Sequence, residues 1–137
     1  MSSERERFAA AADALVGTPF RFRGRDRATG LDCVGMVLAA LADIGRKPAE
    51  LNGYAMRQTH ADHHFDVALA CGFRPVEDGE LDVGDLLMVS PGPAQLHLLV
   101  FTGEPGFVHA HASLGRVVRS PSPCPWIIER IWRLSAD

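Results

Sequence analysis

The sequence predicts one α+β domain over residues 1–137, with N-terminal helices packed on a mainly antiparallel sheet. Two observations favour this fold class. Helical periodicity dominates the first half of the chain, whereas the second half contains short β-type runs separated by turn residues. Helices followed by strands are typical of α+β domains. A length of 137 residues suits a single core, and the sequence contains no internal repeat or long linker.

Three helices are predicted. The first covers residues 3–16, because Ser3 and Glu6 have the spacing of a capping box and an apolar face follows them. The second covers residues 32–44, where apolar residues recur with helical spacing until a glycine closes the pattern. The third is expected over residues 61–71. The segment between the first two helices is predicted to be an arginine-rich loop.

Short runs rich in apolar and β-branched residues predict five strands, at residues 85–89, 96–101, 106–112, 115–120 and 126–134. Turn residues between the second and third strands indicate a hairpin. Pairing centred on Gly103 would place His97 opposite His109, whereas pairing centred on Glu104 would place it opposite His111. The sequence leaves both registers open.

The composition excludes several functional classes. A net charge of −3 argues against non-specific nucleic-acid binding, which needs a basic surface. Three cysteines are too few for a disulfide framework, so we expect free thiols and a reducing compartment. The N-terminal residues contain no apolar signal region, so we expect cytoplasmic synthesis without a signal peptide. No apolar run approaches the roughly 20 residues of a membrane span. We expect no cofactor and no metal.

Cys33 is the residue whose position most strongly indicates chemistry. It follows Asp32, a preferred N-cap residue, and therefore occupies the first helical position. The unpaired N–H groups there act like a positive charge of about half a unit and favour the thiolate. The thiolate is the nucleophilic form, so the position predicts an activated cysteine. The alternative is a small buried hydrophobic side chain with no chemical role.

A nucleophilic cysteine needs a base, which the histidines of the predicted strands can supply. His97 opens an apolar strand, while His109 and His111 stand two residues apart and share a strand face. A histidine base oriented by a second polar side chain would complete a catalytic triad of nucleophile, base and orienting residue. The alternative is a half-exposed hairpin that carries histidines without a catalytic role.

Three separated motifs resemble those of NlpC-type cell-wall cysteine peptidases. Residues 17–37, GTPFRFRGRDRATGLDCVGMV, are similar to the family pattern G-T-P-Y-x-W-G-G…D-C-S-G. Residues 84–89, GDLLMV, and 96–118, LHLLVFTGEPGFVHAHASLGRVV, are similar to G-D-L…H-V-G-I-Y-x-G…F-I-H-A. The resemblance implies a compact papain-like fold with the cysteine on a helix packed against the sheet. It also implies hydrolysis of amide bonds in peptidoglycan stem peptides, commonly the γ-D-glutamyl to diamino acid bond.

The resemblance implies roles for individual residues. Cys33 corresponds to the nucleophile and His97 to the general base, while His109 corresponds to the third residue, which orients the base. His111 is the alternative for the third role because it shares the strand face. Asp32 corresponds to the family aspartate before the nucleophile, which would help to bind a substrate amine in addition to capping the helix.

The sequence departs from the family pattern near the expected substrate site. Phe20 stands in place of a tyrosine near the oxyanion site and has no hydroxyl to donate. Arg23 stands where a glycine is usual, and Val34 replaces a serine after the nucleophile. The backbone N–H of Cys33 can still contribute to an oxyanion hole.

The chain most resembles peptidases of phage tails and gene-transfer agents. The features that it shares with them are its small single-domain size, its GTPF…GLDC segment and its lack of an apolar signal region. Such members are made inside the cell and carried by the particle. The resemblance therefore implies tail proteins as partners and delivery to the cell wall or periplasm. Two alternatives remain open: a thiol amidase or acyltransferase that acts on another substrate, and an inactive structural module of a tail tip.

Several further residues have competing interpretations. The arginines before the nucleophile are either ligands for stem-peptide carboxylates or a solvated loop; they are Arg21, Arg23, Arg25 and Arg27. His60 and His64 of HADHH share a helix face with a spacing that can bind a metal, and Cys71 is the one further ligand evident nearby, but a polar helix face is the preferred interpretation. Trp126 and Trp132 are predicted to pack in the core or at its edge.

Overall fold

The computed structural model of the chain describes residues 3–46, 72–77, 80–92, 96–103, 106–121 and 123–134. Within these residues, two helices accompany a six-stranded antiparallel sheet and a two-stranded ribbon, which confirms the predicted α+β class. The elements are α1 (Glu4–Asp13), β1 (Arg25–Asp26), β2 (Gly30–Leu31), α2 (Cys33–Asp43), β3 (Phe73–Pro75), β4 (Leu86–Ser90), β5 (His97–Phe101), β6 (Gly106–His111), β7 (Arg116–Pro121) and β8 (Ile127–Leu134).

Both described helices begin where the sequence predicts. Ser3 and Glu6 form the capping box of α1, and Asp32 caps α2 by accepting the N–H of Gly35. The first helix ends at Asp13 rather than at residue 16, because the chain turns away there towards the sheet. The predicted third helix lies outside the described residues. None of the described helices is long and apolar enough to cross a membrane.

The six-stranded sheet has the order β3-β8-β4-β5-β6-β7, and its alternating side chains form two cores. On one face, Leu98, Val100 and Val108 pack against both helices. On the other face, Leu99 and Phe107 belong to a smaller cluster. The sequence did not predict β3, which is a three-residue edge strand that ends in proline and therefore carries little β signal.

The register of β5 and β6 decides between the two pairings left open by the sequence. Val100 pairs with Val108 and Phe101 with Phe107, so continuing the ladder places His97 across from His111. The register that would have placed His97 opposite His109 is wrong. By alternation the three histidines lie on the sheet face opposite to the helices.

The segment before α2, expected to be a loop, contains the short ribbon of β1 and β2. The ribbon packs directly on the first turn of α2, where a Cβ added to Gly35 would clash with the carbonyl oxygen of Gly24. Only glycine permits this approach of two backbones. The ribbon therefore fixes where the cysteine-bearing end of α2 lies.

Candidate active site

Cys33 is the first residue of α2, and its half-buried thiol lies against the sheet. Backbone groups of Leu98 and Val34 hydrogen-bond to the sulfur. Leu98 follows His97 at the start of β5, so the sulfur lies beside the strand that begins with the predicted base.

The environment of Cys33 corrects the expectation of a resting thiolate. Burial raises the pKa of the Cys33 thiol to about 11, and the negative charge of Asp32 adds to this effect. The hydrogen bonds from Leu98 and Val34 and the charge of Arg25 lower the pKa, but by less. Desolvation of the thiolate therefore outweighs the helix N-terminus, and the resting form is the thiol.

The histidines of β5 and β6 form a hydrogen-bonded network that ends on β7. His97 Nε2 lies 2.9 Å from His109 Nδ1, and His109 Nε2 lies 2.7 Å from Ser120 Oγ. We call His97, His109 and Ser120 the histidine network. The contact between the two imidazoles is diagonal, because the ladder places His111 directly across from His97. His111 Nδ1 instead accepts the N–H of Leu114 at 3.1 Å, which stabilises the turn between β6 and β7.

Both histidines of the network are neutral at pH 7. Burial lowers the pKa of His97 and of His109 to about 4, and the charges of neighbouring histidines contribute in the same direction. His109 is only 1% exposed. A neutral imidazole carries one N–H donor and one acceptor nitrogen, so the donor in each contact of the network depends on the tautomer of the histidines.

Trp126 covers the histidine network. Its ring packs edge-on against His97 and His109, with centroid separations of 5.9 Å and 5.8 Å. It also lines a cavity of about 430 Å³ together with His109, His111 and Ser120. Trp132, by contrast, is fully buried in the core on the helix side.

Asp32 is held by three donors of the protein itself. Its Oδ1 accepts the N–H of Gly35 at 2.7 Å and Arg25 Nη1 at 2.8 Å, and its Oδ2 accepts the N–H of Arg23 at 3.1 Å. Arg23 adopts a φ of 62°, a left-handed conformation that glycine adopts more easily. This conformation explains why glycine would be usual at position 23.

The other predicted binding residues are distributed around the ribbon. Phe20 is partly buried against the helix-side core and forms a β-bridge with Leu31. Arg25 pairs with Asp32, so it is not displayed for a carboxylate ligand. The guanidinium of Arg23 lies 5.7 Å from the centroid of the Phe22 ring. The HADHH histidines and Cys71 lie outside the described residues.

The structure joins His97 to His109 and places Cys33 beside the start of the same strand. Within the described parts of the chain, no hydrogen bond joins the Cys33 sulfur to an imidazole, so a closed Cys-His-His triad is not shown. Sequence reasoning missed Ser120. Its place follows from the pairing of β7 with β6, because Ser120 and Val118 share a face of β7 and Val118 pairs with His109.

Comparisons with known proteins agree on the fold. The sequence profile described as the NlpC/P60 family matches residues 17–133. Among solved structures, NlpC1 from Trichomonas vaginalis superposes with a TM-score of 0.71 at 19% identity, over 97% of this chain and 46% of that chain. The peptidoglycan hydrolase RipB from Mycobacterium tuberculosis superposes with a TM-score of 0.64 at 22% identity, over 97% of this chain and 65% of that chain.

The P60 domain of an antigen from M. avium subspecies paratuberculosis gives a TM-score of 0.64 at 20% identity, over 95% of this chain and 93% of that domain. The chain therefore spans about half of NlpC1 but nearly all of the isolated P60 domain. A comparison with curated protein sequences found no match.

Proposed function

Because the chain belongs to the NlpC/P60 family, we propose that it is a cysteine peptidase that hydrolyses amide bonds in peptidoglycan stem peptides. One observation carries the proposal: Cys33 begins α2 beside β5, and the first residue of β5 is the histidine whose Nε2 contacts His109. RipB, a structural relative, is a peptidoglycan hydrolase. The bond between γ-D-glutamate and the diamino acid is the proposed site of cleavage.

In the proposed reaction His97 acts as a general base. The His97 ring lies on the sheet face opposite to α2, but His97 is the first residue of β5, so in this proposal its Nδ1 and the Cys33 sulfur meet at the end of the sheet. Nδ1, the nitrogen not used in the contact with His109, accepts the thiol proton while the sulfur attacks the scissile carbonyl. The tetrahedral oxyanion collapses to an acyl-enzyme, and the amine leaves with the proton from His97. Water, activated by the same histidine, then hydrolyses the thioester and regenerates the thiol.

The pKa values of the two groups constrain the timing of proton transfer. The Cys33 and His97 values, about 11 and about 4, differ by about 7. That difference means that converting the neutral thiol and imidazole into a separated thiolate and imidazolium costs about 10 kcal/mol, before the attraction between the two charges is counted. Both pKa shifts act against a resting thiolate and imidazolium, so we propose that proton transfer accompanies sulfur attack.

The first turn of α2 supplies an oxyanion donor in this mechanism. Asp32 caps the N–H of Gly35, whereas no hydrogen bond among the described residues uses the N–H of Cys33. That N–H lies at the helix end where a developing negative charge is stabilised. Phe20 contributes no hydroxyl. We place Asp32, Arg23 and His111 on the substrate side of the site.

We also propose delivery of the protein to the cell wall by a phage-tail or gene-transfer-agent particle. The support for this is the resemblance of the GTPF…GLDC segment to peptidases of such particles. Mass spectrometry of purified particles tests it: we expect the chain to copurify with tail proteins, and its absence from intact particles would contradict delivery by this route.

Incubation with purified muropeptides tests the peptidase activity, with products identified by liquid chromatography and mass spectrometry. We expect the wild type to release a fragment that begins with the diamino acid, and Cys33→Ala to release none. Cys124→Ser is the matched control, because Cys124 donates weakly to the Trp126 carbonyl, 3.6 Å away, and a hydroxyl preserves a donor there. Full activity of Cys33→Ala would overturn the assignment.

Two other results would favour the alternatives. Turnover of a small acyl substrate with intact stem peptides would indicate a thiol amidase or acyltransferase. Tight binding of muropeptides without turnover of either substrate would indicate a structural module.

A further inference from the structure

The histidine network ends on a neutral hydroxyl. Ser120 Oγ is 2.7 Å from His109 Nε2, and the residue is half-buried at the edge of the 430 Å³ cavity. The described residues that line this cavity include no carboxylate and no basic side chain other than histidine. His111 and Cys124 are the titratable groups that face His109 there from β6 and from the segment before β8. Ser120 is therefore the hydrogen-bond partner of His109 Nε2 among the described residues that line the cavity.

The two contacts of the network permit only two arrangements of protons when both imidazoles are neutral. In the first, His97 Nε2–H donates to His109 Nδ1, and His109 Nε2–H donates to Ser120. In the second, the Ser120 hydroxyl donates to His109 Nε2, and His109 Nδ1–H donates to His97 Nε2. The first leaves the lone pair of His97 on Nδ1. The second leaves a proton there, so that His97 cannot act as a base through Nδ1.

We propose that Ser120 is a positioning residue that selects the first arrangement by accepting the hydrogen bond from His109 Nε2. This inference rests on the proposed function, because it deepens the role of His97 as a general base. Ser120 touches neither the sulfur nor the scissile bond, and it acts through His109 on the tautomer of His97.

The position of Ser120 beside the cavity favours this direction of the hydrogen bond. A serine that accepts from His109 must direct its own O–H elsewhere, and the cavity gives that proton access to water. Burial keeps His109 neutral, so it has only one N–H to place and the hydroxyl of Ser120 can decide which nitrogen carries it. When His97 takes the thiol proton at Nδ1, its Nε2–H stays in place and the rest of the network keeps its protons.

A threonine and a valine at position 120 test this proposal. The two side chains have nearly the same shape and both suit a strand, so only the hydroxyl distinguishes them. Nitrogen-15 NMR of the imidazole rings at pH 7 reports which ring nitrogen carries the proton. We expect His97 and His109 to be protonated on Nε2 in the wild type and in Ser120→Thr, and to show mixed tautomers in Ser120→Val.

Kinetics provide the second measurement. We expect kcat/KM on muropeptides to fall about 2–10-fold in Ser120→Val relative to Ser120→Thr, with KM nearly unchanged, because mixed tautomers leave only part of His97 with its lone pair on Nδ1. Ser90→Ala is the control, because the Ser90 hydroxyl donates to Glu129 on the exposed part of the sheet, outside the histidine network. Its tautomers and rate should match the wild type.

The proposal is wrong if wild-type His97 carries its proton on Nδ1, or if the threonine and valine variants share the same tautomers and rates. The NMR result does not depend on turnover. If the tautomers respond as expected but even the wild type cleaves no stem peptide, Ser120 positions the histidines and the proposed peptidase function fails.

Discussion

Replacement of Asp32 by asparagine or by alanine separates the two effects of this carboxylate on the active site. The carboxylate caps α2 through Gly35, pairs with Arg25 and accepts the N–H of Arg23. Its charge also raises the pKa of the Cys33 thiol. Asparagine retains the capping oxygen but removes the charge, whereas alanine removes both.

The contacts set the expected magnitudes. Loss of an N-cap costs about 1 kcal/mol of unfolding free energy. Loss of a charge-assisted hydrogen bond costs about 1.5–3 kcal/mol, and the lower end applies because the Arg25 and Asp32 side chains are 25% and 17% exposed. We therefore expect Asp32→Ala to cost about 2–4 kcal/mol and Asp32→Asn about 1–2 kcal/mol, since asparagine caps a helix as well as aspartate.

Two assays measure these effects on the same proteins. Urea denaturation followed by circular dichroism gives the stabilities. The pH dependence of iodoacetamide alkylation, mapped by mass spectrometry, gives the pKa of Cys33, with Cys124 as an internal reference. Both variants should alkylate Cys33 faster than the wild type at neutral pH, because the pKa of the thiol falls when the neighbouring negative charge is removed.

Asp26→Asn is the matched control, because Asp26 is an exposed aspartate of the same ribbon whose carboxylate accepts the local N–H of Ala28. It should change neither stability nor alkylation appreciably. Equal stability losses in the asparagine and alanine variants would refute the capping argument. Unchanged or slower alkylation of Cys33 would refute the electrostatic one.

Two further predictions follow from burial and from backbone contact. Because burial lowers the pKa of His97 and His109 from 6.5 to about 4, the unfolded state binds these protons first as the pH falls. Stability should be nearly constant between about pH 6.5 and pH 8 and should decrease towards pH 4, by up to about 3 kcal/mol for each histidine; denaturation curves that do not change between pH 6.5 and pH 4 would contradict the pKa shifts. Gly35→Ala should destabilise the protein by about 1–3 kcal/mol, because the clash with the carbonyl of Gly24 outweighs the helix propensity of up to about 1 kcal/mol that alanine gains. A melting temperature equal to or above that of the wild type would show that the ribbon and α2 separate easily.

Local signals explain why the elements near the site were predictable. The Asp32 cap and the helical spacing after it define the start of α2, and the structure begins that helix at Cys33. The apolar runs around His97 and His109 likewise appear as adjacent strands. Each of these features depends on a few consecutive residues, so the sequence contains it directly.

Features that depend on tertiary packing were not predictable. The helix position of Cys33 indicated a lowered pKa, but burial against the sheet raises it. The contact of His97 with His109 is diagonal across a register that the sequence left open. Ser120 enters the network only because β7 pairs with β6, and a lone serine in a strand carries no signal of its own.

The central claim is that His97 removes the proton from Cys33, and the separation of Cys33 Sγ and His97 Nδ1 tests it most directly. A high-resolution crystal structure of the wild-type chain measures that distance. If His97 is the base, we expect a separation of about 3–4 Å, with Nδ1 directed at the sulfur and Nε2 still bonded to His109. An imidazole that faces away from the sulfur, or that lies too far from it for one intervening water, would contradict the account.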